Sequence, residues 1–231
     1  GIERAALPCG PAPNGSRPGE GFTPAADLLA EADLLVLALA PEAALAFLKE
    51  HAALLRPGTV VSDVCGVKRW VVEACTPVCA AHALTFIGGH PMAGKERSGF
   101  ANADGRLFEG ASYILTPSPG TDPAALTLLA SFADAVGSAR VTVTTPAHHD
   151  RMIAFTSQLP HVLAGAYVKS PVSGRHQGYS AGSYRDVSRV ATVDENLWSQ
   201  LFLLNRACLL EEIDGLIENL QTYKEALARE D

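Results

Sequence analysis

The sequence contains no stretch approaching the roughly 20 consecutive apolar residues that a membrane-spanning helix requires. Its first residues also lack the basic segment followed by an apolar one that marks a secretory signal. No run of like charges occurs, and 18 Lys and Arg against 25 Asp and Glu leave a net charge of −7. Because membranes and nucleic acids attract basic surfaces, we expect no membrane and no nucleic acid as partner, and predict a small molecule instead.

Cysteine is scarce and shows no pairing pattern. The five cysteines are an odd number, include no CxxC pair and stand at positions 9, 65, 75, 79 and 208. Scattered cysteines in apolar stretches are typical of buried, reduced thiols, which favours a cytoplasmic protein. Cys75 and Cys79 lie one helical turn apart, but no histidine stands at ligand spacing from them, so we predict no metal site.

An initiator methionine is also absent. The opening "GIERAALPCG" reads as the end of a helix that runs into a loop rich in proline and glycine, so we expect further sequence to precede it. What is present is ample apolar material: 48% of the 231 residues are hydrophobic. This is enough for the core of one large domain or of two modest ones.

From residue 33 onward, short apolar runs alternate with helical patterns. Strands are predicted at 33–40, 59–64, 84–89, 112–116 and 139–145, and helices at 41–55, at 68–82 with an interruption near Pro77, and at 123–136. This alternation predicts a parallel or mostly parallel sheet in an α/β domain.

The strand signal stops after residue 145, and the remaining segments are helical with broad apolar faces. We therefore predict a boundary between an α/β domain at 1–145 and an all-α domain at 146–231. Helices with such broad apolar faces require a partner surface, so we expect the second domain to dimerise.

The segment "GGHPMAGKERSG" places His90 directly after a predicted strand. Ligands of open α/β sheets bind beyond the carboxyl ends of the strands. Pro91 favours an extended backbone at His90, and Gly88, Gly89 and Gly94 permit close approach of the backbone to a ligand. A hydrogen-bonded structural histidine is the alternative, but the glycines favour a functional one.

A polar stripe occurs on the first helix of the second domain. Asp150, Ser157 and His161 follow i, i+7, i+11 spacing and share one face of a regular helix. Pro160 is expected to kink the helix and free a carbonyl beside His161. The stripe is either a ligand-facing surface or a buried hydrogen-bond network.

The segment "SYRDVSRVA" brings Arg185 and Arg189 one helical turn apart, with Ser183 predicted as the N-cap and Asp186 as its acidic partner. Two neighbouring arginines suit a ligand with carboxylates, because guanidinium groups bind carboxylates with paired hydrogen bonds. Salt bridges to Asp186 or Glu195 are the alternative. A further segment, "VSDVCGVK", forms a turn after Asp63 whose amides could face a nucleotide or substrate.

These segments together resemble the prephenate and arogenate dehydrogenases of tyrosine biosynthesis. The resemblance rests on "ADLLVLALAP", "VVSDVCGVK", "FIGGHPMAGKERSGFANADGRLFEGASYILTP", "HHDRMIAFTSQLPHVLAGA" and "YRDVSRVA", in that order, and covers nearly the whole chain from about residue 31. It implies a Rossmann-type α/β domain, here partial because its first βαβ unit is missing, followed by an all-α dimerisation domain.

The resemblance also implies an activity. Prephenate would be oxidatively decarboxylated to 4-hydroxyphenylpyruvate, with hydride transfer to NAD or NADP. His90 would be the general base that takes the proton of the substrate's ring hydroxyl. Arg189 would bind a substrate carboxylate, His161 would contact the substrate, and Arg185 and Asp186 would order that pocket. A homodimer is implied through the helical domain.

The chain departs from the family pattern at two places. The family often has a serine where this sequence has Gly66, a position that contacts the substrate's ring hydroxyl. The family's G-x-G-x-x-G fingerprint is also absent, and is expected some tens of residues before Gly1. The surviving cofactor contacts would come from Asp63 and from the turn of Ala38, Leu39, Ala40 and Pro41.

Two alternatives stay open. The β-hydroxyacid dehydrogenases have a similar two-domain architecture, but they use a catalytic lysine on a helix where this chain offers His161. A truncated chain that keeps the dimer interface and substrate binding without turnover is the other, and the missing fingerprint motivates it. The sequence does not separate NAD from NADP, or prephenate from arogenate.

Overall fold

The structure, a computed structural model, describes residues 25–95 and 102–231. The chain divides into two compact units, Gly1–Pro146 and Ala147–Asp231. Part of the segment "GGHPMAGKERSG", residues 96–99, lies outside the described residues, as does Cys9. In the described part of the chain, no helix combines the length and the apolar content that crossing a bilayer requires.

The first unit alternates strands and helices. Its elements are α1 (Ala25–Glu31), β1 (Leu34–Leu37), α2 (Pro41–His51), β2 (Val60–Asp63), α3 (Arg69–Ala81), β3 (Thr85–Pro91), β4 (Ser112–Pro117), α4 (Pro123–Ala135) and β5 (Arg140–Val143), with a short 3-10 turn at Ala52–Leu54. Each predicted strand is present. The first is shorter than predicted, because Pro41 begins a helix and residues 38–40 form the turn that leads into it.

The five strands form one sheet in the order β1-β2-β3-β4-β5. Neighbouring strands are parallel except β3 and β4, which pair antiparallel with His90 opposite Ile114. This confirms the predicted α/β, mostly parallel fold class. Because β1, β2 and β3 are parallel, their carboxyl ends lie at one edge of the sheet.

Helices cover both faces of the central strands. Ile87 and Leu115 of the sheet pack with Leu129 of α4 in one apolar core cluster. Successive residues of a strand point to opposite faces, and Gly88 faces Val72 of α3 on the other side. Full burial of each large aliphatic side chain stabilises the unit by about 1.5–3 kcal/mol.

Helix α3 continues through Pro77, where an interruption was predicted. Pro77 is exposed, while Cys75 and Cys79 on the same helix are buried. The backbone carbonyl that receives no hydrogen bond from Pro77 therefore lies on the exposed side of the helix, where water can donate to it.

The second unit is helical, and its helical composition confirms that part of the predicted fold class. Its elements are α5 (Pro146–Ile153), a π-helical turn (Ala154–Gln158), α6 (Leu159–Val168), α7 (Gly182–Ser188), α8 (Glu195–Leu204) and α9 (Arg206–Ala228), with 3-10 turns at Ser173–Arg175 and Arg189–Ala191.

The π-helical turn changes the helix face that the sequence predicts. It lies directly before Pro160, which takes an early position of α6 where its missing N–H is not needed. A π-helical turn holds more residues than an α-helical one, so the regular i, i+7, i+11 register is lost. Asp150 and Gln158 are buried, whereas Ser157 and His161 are half-buried.

Candidate active site

His90 is the second-last residue of β3 and is half-buried. Its strand is fixed by β4: His90 pairs with Ile114, and the amide of Met92 donates to the carbonyl of Ser112 at 2.7 Å. The imidazole therefore stands on regular backbone at the carboxyl end of a central strand, as the sequence predicts.

Asp63 ends the neighbouring strand β2, and its side chain is completely buried. One carboxylate oxygen accepts the amide hydrogen of Gly89 at 3.1 Å, and the other accepts that of Cys65 at 2.9 Å. The ammonium group of Lys68 forms an ion pair with the same carboxylate. The predicted contact of Asp63 with a cofactor stays a prediction, and its oxygens have protein partners in this structure.

Lys68 ends the segment "VSDVCGVK", but the sequence alone assigned this side chain no role. It directly precedes α3, and its side chain is 0% exposed, as is that of Asp63. Lysine is almost never fully buried unless it is paired. The available signal was the placement of a lysine five residues after an aspartate that ends an apolar strand.

Gly88 and Gly89 have a different role from the predicted one. A Cβ on Gly88 would lie 2.4 Å from Oγ1 of Thr116, and one on Gly89 would lie 2.5 Å from the backbone oxygen of Asp63. Both glycines thus allow β3 to pack against protein, and the predicted approach of a ligand to this segment stays a prediction. For Gly94, by contrast, no atom of residues 25–95 or 102–231 lies within 4 Å of its Cβ position.

The turn between β1 and α2 lies against the turn between β2 and α3. The thiol of Cys65 donates to the backbone oxygen of Leu39 at 3.3 Å. Ala38 and Leu39 are exposed, Ala40 is half-buried and Pro41 is buried as the first residue of α2. Gly66 is half-buried in the second turn. The structure thus brings together these predicted cofactor residues and the predicted substrate residue Gly66.

In the second unit, a hydrogen bond connects His161 to the segment "SYRDVSRVA". Nδ1 of His161 lies 2.6 Å from the carbonyl oxygen of Val190, so Nδ1 carries the proton and donates. The imidazole also packs on Trp198, with ring centroids 3.8 Å apart. Trp198 was not identified from the sequence, and its position three residues after Glu195 gives no periodic signal.

The two arginines do not share a single helix. Helix α7 ends at Ser188, and Arg189 begins the following 3-10 turn. Arg185, Asp186 and Arg189 are all exposed. The predicted cap is wrong: α7 begins at Gly182 after Ala181, with no side-chain cap, so Ser183 lies inside the helix.

A buried polar network lies beside the π-helical turn. The side-chain amide of Asn205 donates to the backbone oxygen of Asp150 and to Oε1 of Gln158, both at 2.8 Å. Nε2 of Gln158 donates to the carbonyl of Leu201 at 3.3 Å. Nδ1 of His149 lies 2.7 Å from the carboxylate of Asp150. Asp150 thus belongs to a hydrogen-bond network, one of the two roles that the sequence allowed.

The described cysteines Cys65, Cys75, Cys79 and Cys208 are all free thiols. Burial raises the pKa of Cys75 and of Cys79 to about 12, and nearby negative charge adds to the shift. Within residues 25–95 and 102–231, no three His, Cys, Asp or Glu side chains are grouped as metal ligands.

Family models match both units. Residues 16–143 match the prephenate dehydrogenase nucleotide-binding domain, and residues 145–231 match the prephenate dehydrogenase dimerization domain. The cyclohexadienyl dehydrogenase of Zymomonas mobilis is 32% identical, over 89% of this chain and 71% of that protein. The prephenate dehydrogenase of Lactococcus lactis is 30% identical, over 87% of this chain and 56% of that protein.

Solved structures agree with these matches. The Aquifex aeolicus prephenate dehydrogenase, in complex with hydroxyphenyl propionate and NAD+, aligns with a TM-score of 0.79 and 28% identity over 90% of this chain and 74% of that one. The Synechocystis arogenate dehydrogenase aligns with a TM-score of 0.76 and 28% identity, over 89% of this chain and 74% of that one. With both units matched by the models, the chain belongs to the prephenate dehydrogenase family.

Proposed function

We propose that this chain catalyses the oxidative decarboxylation of prephenate to 4-hydroxyphenylpyruvate, with NAD or NADP as hydride acceptor, in tyrosine biosynthesis. The observation that carries the proposal is the set of residues that lies at one edge of the sheet. The turn at residues 38–41, the turn at residues 65–66 and His90 all stand at the carboxyl ends of three parallel strands. Ligands of open α/β sheets bind at this edge.

The first turn fits part of a nicotinamide dinucleotide. The exposed Ala38 and Leu39 present small or flexible apolar side chains, against which a flat ring can pack. The N-cap position of α2, Ala40, has no side-chain cap, so the first-turn amides that follow Pro41, which itself has no N–H, can donate to an acceptor. We assign residues 38–41 to the cofactor, and a bound nicotinamide supplies the hydride acceptor of the reaction.

His90 acts as the general base in this proposal. Its imidazole accepts the proton of the substrate's ring hydroxyl while hydride leaves the ring carbon that bears this hydroxyl, which gives a ring ketone. Loss of CO2 from the ring then yields the aromatic ring, and the proton returns to the phenolic oxygen. Histidine suits this step because its ordinary pKa lies near neutral pH. Gly66, half-buried in the turn after β2, carries no side chain that could hydrogen-bond the hydroxyl, so we propose that a water molecule or a neighbouring group serves there.

The second unit supplies the carboxylate site in the same proposal. Arg189 binds a substrate carboxylate through paired hydrogen bonds, since a guanidinium group matches a carboxylate in geometry. His161 contacts the substrate through Nε2, because Nδ1 is engaged with Val190. Arg185 and Asp186, both exposed on α7, order this pocket.

We further propose that the chain works as a cytoplasmic homodimer, with residues 1–145 for the cofactor and 146–231 for substrate and dimerisation. Helix α9 supports the dimer in this proposal, because Leu209 is the one buried residue of this helix. Leu210, Ile217 and Leu227 on that helix are 56%, 58% and 77% exposed. Light scattering tests the dimer, and Ile217→Asp should shift it to the monomer.

The activity is tested by incubating the protein with prephenate, or with arogenate, and either NAD or NADP. Reduced nicotinamide and the aromatic product are followed together. Equal formation of both supports the proposal and identifies the preferred nucleotide and substrate. Binding of prephenate without turnover would instead support the non-catalytic alternative.

A further inference from the structure

The buried carboxylate of Asp63 is joined to the backbone directly before His90. Its Oδ1 accepts the Gly89 amide hydrogen at 3.1 Å, and its Oδ2 accepts that of Cys65 at 2.9 Å. The same carboxylate therefore links the turn after β2 to the end of β3. Neither contact is needed to form the sheet, whose ladder is made by the backbone.

The location of this bond follows from the end of the ladder between β2 and β3. Backbone pairing of the two strands ends at Ser62 and Ile87. Beyond that point the Asp63 side chain supplies the acceptor for Gly89 that the β2 backbone no longer supplies. On the other side, β4 holds the same segment through the pairing of His90 with Ile114. The backbone at His90 is thus held from both sides.

Lys68 completes the arrangement. A buried carboxylate is costly unless a positive charge compensates it, and the ammonium group of Lys68 is paired with Asp63 where neither side chain is exposed. The aliphatic part of Lys68 also packs on β3: its Cδ would lie 3.2 Å from a Cβ on Gly88. One side chain therefore neutralises Asp63 and supports the strand two residues before His90.

We propose that Asp63 and Lys68 form a positioning pair that fixes the His90 imidazole for proton transfer, by holding the Gly89 amide and the turn at Cys65 in one geometry. This inference rests on the proposed role of His90 as general base. Asp63 and Lys68 act through backbone and need not touch the substrate.

The test replaces the pair by apolar side chains of similar shape, in the double variant Asp63→Leu/Lys68→Met of the full-length protein. An apolar replacement of a buried ion pair is often tolerated, so this variant separates folding from positioning. Asp63→Asn is the second variant. The asparagine side chain keeps the size of the carboxylate, but it has only one oxygen that can accept. It also carries no negative charge to pair with the ammonium group of Lys68. Glu73→Gln is the control, because it neutralises an exposed pair with Arg69 on the same helix.

The expected result for the double variant is a kcat about 100-fold lower with the KM for substrate unchanged, since a small displacement of a catalytic group costs about that factor. Hydrogen exchange should show that the Gly89 amide loses its protection while the amides of β2 keep theirs. Glu73→Gln should change neither quantity.

A purely structural pair would give another result. The melting temperature would fall, while kcat of the folded fraction and the protection of the Gly89 amide would stay at the wild-type level, and this would overturn the proposal. The same conclusion holds if KM rises in place of the fall in kcat.

Two measurements that need no turnover, the exchange of the Gly89 amide and the NMR signals of His90, separate this proposal from the proposed function. If the wild-type protein does not oxidise prephenate, the proposed function is wrong, and positioning is read from His90 itself. The imidazole signals of His90 in an NMR spectrum should then shift and broaden in Asp63→Asn. Unchanged imidazole signals together with a protected Gly89 amide would overturn the positioning pair independently of any activity.

Discussion

His161 donates its Nδ1 hydrogen to the carbonyl oxygen of Val190 at 2.6 Å, which ties α6 to the turn that begins with Arg189. The bond fixes the tautomer of the neutral imidazole, because Nδ1 carries the hydrogen and Nε2 is left as the acceptor. Two segments that are distant in the chain, α6 and the 3-10 turn at Arg189–Ala191, are thereby joined by one hydrogen bond.

Replacement of Arg189 tests the carboxylate site. Arg189→Ala should raise KM for prephenate by a factor that corresponds to about 1.5–3 kcal/mol, because a bound carboxylate would lose its charged hydrogen-bond donor. Steady-state kinetics measure it. Arg175→Ala removes another exposed arginine and serves as the control. A nearly normal KM in the Arg189 variant would remove this residue from the site.

Replacement of His90 tests the general base. His90→Asn keeps a polar side chain on β3 but removes the proton acceptor, so kcat should fall by about 10²–10⁴ with little change in substrate affinity. Single-turnover kinetics and substrate binding by calorimetry measure the two quantities. Unchanged turnover would show that another group takes the proton.

The glycine pair before His90 should tolerate no side chain. Gly89→Ala would place a methyl group 2.5 Å from the backbone oxygen of Asp63, a group that cannot move aside cheaply. Overpacking of this kind destabilises by about 1–3 kcal/mol or more, and the melting temperature measures it. Gly94→Ala is the matched control, since no atom of the described residues lies within 4 Å of its Cβ position. Equal melting temperatures for the two variants would contradict the packing role of Gly89.

Tyr113 provides a prediction on pH. Its hydroxyl is buried and has no hydrogen-bond partner among the described residues, and burial together with the charge of Asp63 raises the pKa of Tyr113 from 10.0 to about 12. Above pH 10 the unfolded chain releases this proton while the folded chain keeps it, so stability falls between pH 10 and pH 12.

Tyr113→Phe should therefore stabilise the protein by about 1 kcal/mol near neutral pH, because an unsatisfied buried hydroxyl is removed. It should also reduce the loss of stability at alkaline pH. Denaturant unfolding at several pH values measures both effects. The exposed Tyr223 gives the control Tyr223→Phe, which should have neither effect. A destabilised Tyr113→Phe would indicate that the hydroxyl has a partner in the folded protein.

The side chain of Asn205 should contribute to the stability of the helical unit. Asn205→Ala would leave the Oε1 atom of Gln158 and the backbone oxygen of Asp150 without their donor, at a cost of about 1–3 kcal/mol. Asn196→Ala, at an exposed position of α8, is the control. Thermal unfolding of the two variants provides the comparison, and equal stabilities would show that water replaces the Asn205 amide.

The strands were predictable because each has a strong local signal. The runs around Val61, Ile87 and Leu115 are continuous, apolar and flanked by turn residues, so burial on both faces could be read from the order of residues alone. The placement of His90 at a strand end followed from the same signal. The cap at Ser183 was predicted wrongly, because the helix begins at Gly182, one residue before the predicted cap, and local pattern alone does not fix a helix start.

The amino-acid sequence by itself thus determined the α/β pattern, the change to helices after residue 145 and the presence of candidate functional side chains. All of these can be read from neighbours along the chain. Only the tertiary structure decided which of them meet. The antiparallel pairing of β3 with β4, the burial of Lys68 against Asp63 and the bond from His161 to Val190 join segments through space. Buried polar groups must find partners wherever the fold brings them, and no local pattern records that choice.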